Sequence, residues 1–154
     1  VKLTIAGSID PRYPEPQELA EDLQISDSVR WTGYISDSEL VELYQNSSLL
    51  IHPSRYEGFG LQIIEAMACG LPVIGTPISG ITDLIRPGKN GFIVQPRVDE
   101  LASAMKPFLE STEKLEEFGS CSRSIILENY SLDVVIPMYL SLFERLSLKN
   151  TASN

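Results

Sequence analysis

The amino-acid sequence predicts an α/β fold with an open, doubly wound, mostly parallel sheet. Short strand-like segments alternate along the chain with segments whose apolar residues recur at helical spacing. Leu49, Leu50 and Ile51 form an uninterrupted apolar run, which is typical of a strand covered by helices on both faces. Because parallel strands need crossover connections, strands separated by helices favour a parallel sheet.

The predicted elements follow one another in strand–helix order. Ser36 and Glu39 form a capping box at the start of the second helix, and Gly70 stops the third. Pro137 lies in the early turns of the last helix. The predicted strands are 1–7, 29–33, 49–52, 71–75 and 91–94. The predicted helices are 17–23, one beginning after Ser36, 61–69, a short one near 82–85, and several beyond residue 98 that end with 132–148.

The last predicted helix has one apolar face. Its apolar residues recur at helical spacing, and the ordinary interpretation of such a face is core packing. A second interpretation is that the end of this helix packs against a neighbouring domain that this chain lacks. The residues that define the face are Val135, Tyr139, Leu142 and Leu146.

Length and composition fit one compact globular domain. The 154 residues are 43% hydrophobic and 21% charged, and a domain of this size buries about 70% of the surface of its unfolded chain. The formal charge of −9 argues against sequence-independent binding of nucleic acid, which requires clustered Lys and Arg. It does not exclude a small anionic ligand held by local geometry.

Residue types also restrict the kind of site and the compartment. Cys69 and Cys121 lie far apart and His52 is the single histidine, which disfavours a metal site and a disulfide scaffold. No apolar run approaches the roughly 18 residues of a membrane span, and no signal pattern opens the chain. We therefore expect a cytoplasmic location. Because the chain opens directly on a strand pattern, we expect a fragment of a longer protein.

The segment after the third strand has the features of an anion-binding turn. Gly58 and Gly60 lie between that strand and the next helix, where doubly wound folds bind ligands. Their missing side chains expose the backbone N–H groups of Phe59, Gly60 and Leu61 to an anion. A helix start also offers unpaired donors and a favourable dipole.

Two carboxylates, Glu57 and Glu65, frame this turn. An ionised carboxylate accepts two hydrogen bonds from vicinal hydroxyls, such as those of a ribose. A single Glu before or inside a helix is usually a dipole partner or a solvated residue. Combined with the glycine turn, the pair favours a ligand that contains hydroxyls, phosphate and ribose, which is a nucleotide sugar.

Two neighbouring side chains carry weaker signals. We interpret His52 as a packed histidine at a strand end rather than as a base, because no carboxylate or Cys stands at catalytic spacing. Arg55 lies beside the turn, where a phosphate contact and a surface ion pair are both compatible with its position.

The segment 53–73, with Glu57 and Glu65, resembles the two-glutamate signature of the retaining, nucleotide-sugar-dependent glycosyltransferases of family four. These are the group 1 glycosyltransferases of GT-B fold. The resemblance implies a Rossmann-like donor-binding domain over residues 1–149, one half of a GT-B enzyme, and a disordered tail at 150–154. It also implies that the amino-terminal acceptor domain and the first strand–helix unit of the donor domain lie outside this chain. Further segments similar to the family are 3–7, 29–35, 80–85 and 90–94.

The resemblance implies a role for each site residue. Glu57 is the catalytic-site residue that contacts hydroxyls of the donor sugar, Glu65 binds the ribose diol, and Ile35 lies against the base. The backbone of Gly58, Phe59, Gly60 and Leu61 holds the sugar and the diphosphate. The family's Gly-Arg and Lys-Gly cations have no match in this chain, and Ser-Gly-Ile-Thr-Asp at 79–83 replaces its Gly-Gly-Ile-Pro-Glu.

The implied activity is transfer of a hexosyl group from a nucleoside diphosphate sugar to an acceptor with retention at the anomeric carbon. The resemblance implies no metal and no cofactor. A sugar, lipid or polysaccharide acceptor would bind the missing domain, and any membrane association would arise through missing parts. We expect weak donor binding and little or no transfer by the isolated chain.

Two alternatives remain open at the level of sequence. One is a non-catalytic module that binds a nucleotide sugar or serves assembly. The other is a GT-B nucleotide-sugar epimerase, which needs groups suited to proton abstraction and is disfavoured by the single histidine.

Overall fold

The computed structural model describes residues 1–8, 10–12 and 14–151, with side chains through Ser147. The chain forms two compact units, Val1–Leu43 and a second that begins at Tyr44. The strands are β1 (Leu3–Ile5), β2 (Val29–Trp31), β3 (Leu50–His52), β4 (Val73–Gly75) and β5 (Gly91–Ile93). The α-helices are α1 (Glu15–Asp22), α2 (Asp37–Gln45), α3 (Leu61–Ala68), α4 (Val98–Glu110), α5 (Thr112–Asn129) and α6 (Leu132–Thr151). A short 3₁₀ helix, Ser26–Ser28, precedes β2.

The first unit contains a parallel pair of strands. β1 and β2 align with Leu3 opposite Val29. The capping box at the start of α2 is confirmed, since the Ser36 backbone N–H donates to Glu39 Oε2 at 2.8 Å. The Glu39 N–H donates in return to Ser36 Oγ at 3.4 Å.

The second unit contains a parallel sheet in the order β3-β4-β5. Adjacent residues of a strand point to opposite faces, and in β4 each face meets a different helix. Val73 belongs to a buried cluster with Ile63 and Met67 of α3. Ile74 belongs to a second cluster with Phe108 of α4. Helices on both faces confirm the predicted α/β, doubly wound character.

Two details differ from the sequence prediction. The described strands pair in two parallel sheets, one in each unit, rather than in one. The predicted helix near 82–85 is a series of turns, because the Thr82 N–H bonds the Ile78 oxygen four residues back while the Leu84 N–H bonds the Ile81 oxygen three back. This mixed pattern does not build a regular α-helix.

The last helix, α6, has a largely exposed apolar surface. Tyr139, Leu142 and Leu146 are 58%, 40% and 49% exposed. The prediction that they pack in a core is therefore wrong within the described residues. Pro137 lies inside the helix, as expected.

The helical stretch Thr112–Ser147 is long and apolar enough to cross a membrane, by length and composition alone. Of its most apolar window, 11% is buried. Glu128 and Asp133 lie inside the stretch, so no uninterrupted apolar run marks it in the sequence. Core helices of soluble proteins meet the same test, so this finding by itself assigns no membrane location.

Asn90 holds the turn before β5, and its replacement provides a test of the fold. Its side chain is buried, with Nδ2 donating to the Leu84 oxygen at 3.2 Å and Oδ1 accepting from the Arg86 N–H at 2.6 Å. Asn90→Ala should lower the free energy of unfolding by about 2 kcal/mol, because the buried Leu84 oxygen and the Arg86 N–H lose their partner. Urea denaturation measures this difference.

The matched control is Lys89→Ala at the neighbouring, exposed position. Its free energy of unfolding should stay within about 0.5 kcal/mol of the parent. Equal stability of the two variants would contradict the role given to Asn90.

Candidate functional site

The loop that leaves β3 closes on itself before α3 begins. Thr76, buried just beyond β4, donates from Oγ1 to the backbone oxygen of Ser54. Ser54 Oγ donates to the Tyr56 oxygen at 2.6 Å and accepts from the Tyr56 N–H at 3.3 Å. These bonds fold the loop back, so that Glu57 returns to the carboxyl end of β3.

Glu57 is held there by two donors. His52 Nε2 lies 3.0 Å from Glu57 Oε2, and the Gly58 N–H donates to Glu57 Oε1 at 3.0 Å. The Glu57 and His52 side chains are 20% and 18% exposed. The hydrogen bond with His52 is the main cause of a lowered pKa of Glu57, and the backbone N–H groups of the turn lower the pKa further. Glu57 is therefore an ionised acceptor at neutral pH.

The contact with Glu57 corrects the interpretation of His52. His52 is largely buried at the end of β3, as predicted, but it also makes a specific contact with Glu57. The sequence reasoning missed the contact because it searched for a carboxylate at catalytic spacing. The signal was the pair His52 and Glu57 at the two ends of one short loop.

Gly60 sets the start of α3. It adopts a left-handed conformation, with φ +82°, and as the N-cap residue it makes no side-chain capping hydrogen bond. A Cβ at this position would lie 3.3 Å from Ile63 Cδ1 and 3.4 Å from Leu84 Cδ1. The first N–H groups of a helix have no acceptor within it, so this helix start offers backbone donors.

The other two glycines around the turn have different surroundings. A Cβ at Gly58 would meet no atom within 4 Å, so protein packing does not require a glycine there. A Cβ at Gly80, which has φ +86°, would lie 3.3 Å from the Gly58 oxygen and 3.3 Å from the Phe59 Cα. The loop after β4 therefore packs directly against the glycine turn.

Glu65 lies on the exposed side of α3, and a buried tyrosine contacts it. Tyr44 Oη donates to Glu65 Oε2 at 3.2 Å. Burial, followed by the charge of Glu65, raises the pKa of Tyr44, so the phenol stays protonated and remains a donor. Sequence reasoning did not identify this contact.

The structure brings most of the predicted site residues onto one segment. Glu57, the turn Gly58–Leu61 and Glu65 all lie between the end of β3 and the middle of α3. Ile35 lies in the first unit, half-buried between β2 and α2, and its contact with a base stays a prediction. Arg55 is exposed. Among the described residues, no group of three or more His, Cys, Asp or Glu side chains could hold a metal ion.

Similarity to known proteins agrees with this geometry. The family model described as "Glycosyl transferases group 1" matches residues 1–124. MMP alpha-(1->4)-mannosyltransferase of Mycolicibacterium hassiacum is 31% identical over 147 residues, which are 94% of this chain and 36% of that protein. The chain thus spans little more than a third of the length of this relative.

Solved structures share the fold. Sucrose-phosphate synthase from Thermosynechococcus elongatus matches with a TM-score of 0.88 and 26% identity, over 96% of this chain and 39% of that one. HepE from Anabaena, solved in complex with UDP, matches with a TM-score of 0.83 and 27% identity, over 96% of this chain and 41% of that one. HepE has also been solved with UDP-glucose, with the same TM-score and identity.

The resemblance found in the sequence and the Rossmann-like, GT-B type of fold are both confirmed. The family match covers the turn and both glutamates. This chain belongs to the glycosyl transferases group 1 family.

Proposed function

We propose that this chain is the donor-binding part of a retaining hexosyltransferase and that it binds a nucleoside diphosphate sugar. The observation that carries the proposal is the β3–α3 turn, which joins an ionised Glu57, backbone donors and Glu65 within one short segment. HepE, which has the same fold, is solved with UDP and with UDP-glucose. This fact supports a nucleotide sugar as the ligand.

The start of α3 is the proposed diphosphate site. Gly60 has no side chain with which to cap the start of α3, and the helix dipole favours negative charge at this end. As the bond between the sugar and the diphosphate breaks, negative charge accumulates on the leaving group. Backbone donors fixed before the reaction stabilise that charge without reorganising.

Glu65 is the proposed ribose site. Its carboxylate is exposed, and one of its oxygens is already fixed by Tyr44. An ionised carboxylate has about four lone-pair positions, so acceptors remain for a vicinal diol. In the same proposal Glu57 contacts the hydroxyls of the donor sugar, and Ile35 lies against the base.

Other parts of the proposal concern the whole protein. The chain spans 36% of the mannosyltransferase relative and 39% of the sucrose-phosphate synthase. We place the site for a sugar, lipid or polysaccharide acceptor in a domain outside these 154 residues. The reaction we propose needs no metal or cofactor and runs in the cytoplasm, with little transfer by the chain alone.

Replacement of Glu65 tests the ribose site. Glu65→Gln should lower the affinity for UDP and for UDP-glucose alike by about 10- to 100-fold, the range for one or two hydrogen bonds to a charged group. Calorimetric titration with UDP, UDP-glucose, GDP and GDP-mannose measures the effect for whichever nucleotide pair the parent chain binds.

Glu116→Gln, on the exposed surface of α5, removes the same charge away from the turn and serves as the control. It should leave both affinities unchanged. Equal affinity of the parent chain and Glu65→Gln, or no binding of any nucleotide sugar by the parent chain, would contradict the proposal and favour a non-catalytic module.

Alanine substitutions at the two glycines of the turn distinguish effects on folding from effects on ligand binding. Gly60→Ala should lower the free energy of unfolding by about 1–2 kcal/mol, because alanine is strained at φ +82°. Gly58→Ala should leave stability unchanged, since its Cβ enters open space. The added methyl group should nevertheless weaken UDP-glucose binding, because it keeps the ligand away from the backbone N–H groups of the turn.

Urea denaturation and calorimetric titration together measure both effects. Gly58→Ala is the decisive variant, because its unchanged stability shows that any loss of affinity does not come from unfolding. If Gly58→Ala binds UDP-glucose as tightly as the parent chain does, the nucleotide sugar does not bind at this turn.

A further inference from the structure

We propose that His52 is a positioning residue for the donor sugar: it donates a hydrogen bond from Nε2 to Glu57 and thereby aims that carboxylate at the sugar hydroxyls. The inference rests on the proposed function of the β3–α3 turn. It adds a residue to which neither the family resemblance nor the sequence reasoning gave a role.

The geometry places both side chains at one point. His52 is the last residue of β3, where it pairs with Gly75 of β4, so the sheet fixes its backbone. Glu57 comes back to this strand end through the loop that Thr76 and Ser54 close. The two side chains meet at 3.0 Å, and each is about four-fifths buried.

The direction of the hydrogen bond follows from the charge of Glu57. Its carboxylate is ionised at neutral pH, and an ionised carboxylate only accepts hydrogen bonds. The proton between the two groups must therefore reside on His52 Nε2. Both a neutral imidazole protonated at Nε2 and an imidazolium can donate this bond.

Two fixed donors leave Glu57 with a defined orientation and free acceptors. His52 binds Oε2 and the Gly58 N–H binds Oε1, one bond to each oxygen. A carboxylate has about four lone-pair positions, and these two bonds use one position on each oxygen. Because the side chain is ordered before the sugar arrives, less conformational entropy is lost on binding.

The alternative is that His52 supports the fold of the loop and has no specific effect on the sugar. The two roles differ in what they change. A structural role affects the nucleotide and the nucleotide sugar equally, because the diphosphate site follows in the same turn. A positioning role affects only the ligand that carries the sugar.

The first experiment observes the proton directly in the unmodified chain. His52 is the only histidine, so a long-range ¹H–¹⁵N imidazole spectrum contains a single spin system. We expect a protonated Nε2 at neutral pH. A neutral imidazole protonated at Nδ1 alone would overturn the proposal, and this measurement needs neither a ligand nor a substitution.

The second experiment compares UDP with UDP-glucose, or GDP with GDP-mannose if the parent chain binds that pair. His52→Phe keeps a ring and removes the donor. It should weaken binding of the nucleotide sugar about tenfold, the scale of one charge-assisted hydrogen bond. Binding of the free nucleotide should weaken less than about twofold. His52→Gln offers an amide Nε2 near the position of the imidazole Nε2, and it should recover most of the lost affinity.

The outcomes separate the inference from the proposed function. If the parent chain binds neither member of either pair, the proposed function fails, and the sugar-directed role of His52 fails with it. If the parent chain binds a pair and His52→Phe weakens both members equally, or neither, only the inference is overturned. The same holds if His52→Gln binds no better than His52→Phe.

Discussion

The left-handed backbone at Gly60 is the constraint on which the site depends. It lets the chain leave the loop after β3 and enter α3 directly, with Ile63, Ala66 and Met67 fully buried beneath. The burial of this helix fixes where its first N–H groups lie. A side chain at Gly60 would strain the left-handed backbone, and its Cβ would lie 3.3 Å from Ile63 Cδ1. Backbone conformation and packing therefore both favour glycine at this position.

Around this turn, each predicted ligand-binding carboxylate has a partner on an earlier element. Glu57 is bound by His52 from the end of β3, and Glu65 is bound by Tyr44 from the end of α2. In both cases a protein donor orients the carboxylate, on both oxygens of Glu57 and on one oxygen of Glu65. Substrate-binding groups that are ordered in advance lose less entropy when the ligand binds, which favours positioning as a mechanism of catalysis.

Local pattern predicted the elements well because their causes are local. The capping box at Ser36 and Glu39 and the apolar strand at residue 50 were both readable from neighbouring residues. The ligand turn was equally readable, since two glycines and two glutamates lie within one short segment. The contacts of His52 and Tyr44 were not, because they join residues that are separated along the chain and depend on tertiary packing. The exposure of α6 is also a tertiary property, since an apolar helical face does not itself specify what covers it.

A crystal structure of the chain with the nucleotide sugar that it binds most tightly would test the central claim most directly. We expect diphosphate oxygens within about 3 Å of the N–H groups at the start of α3, with ribose hydroxyls on Glu65 and sugar hydroxyls on Glu57. A nucleotide sugar bound elsewhere, with the turn and both carboxylates uninvolved, would contradict it.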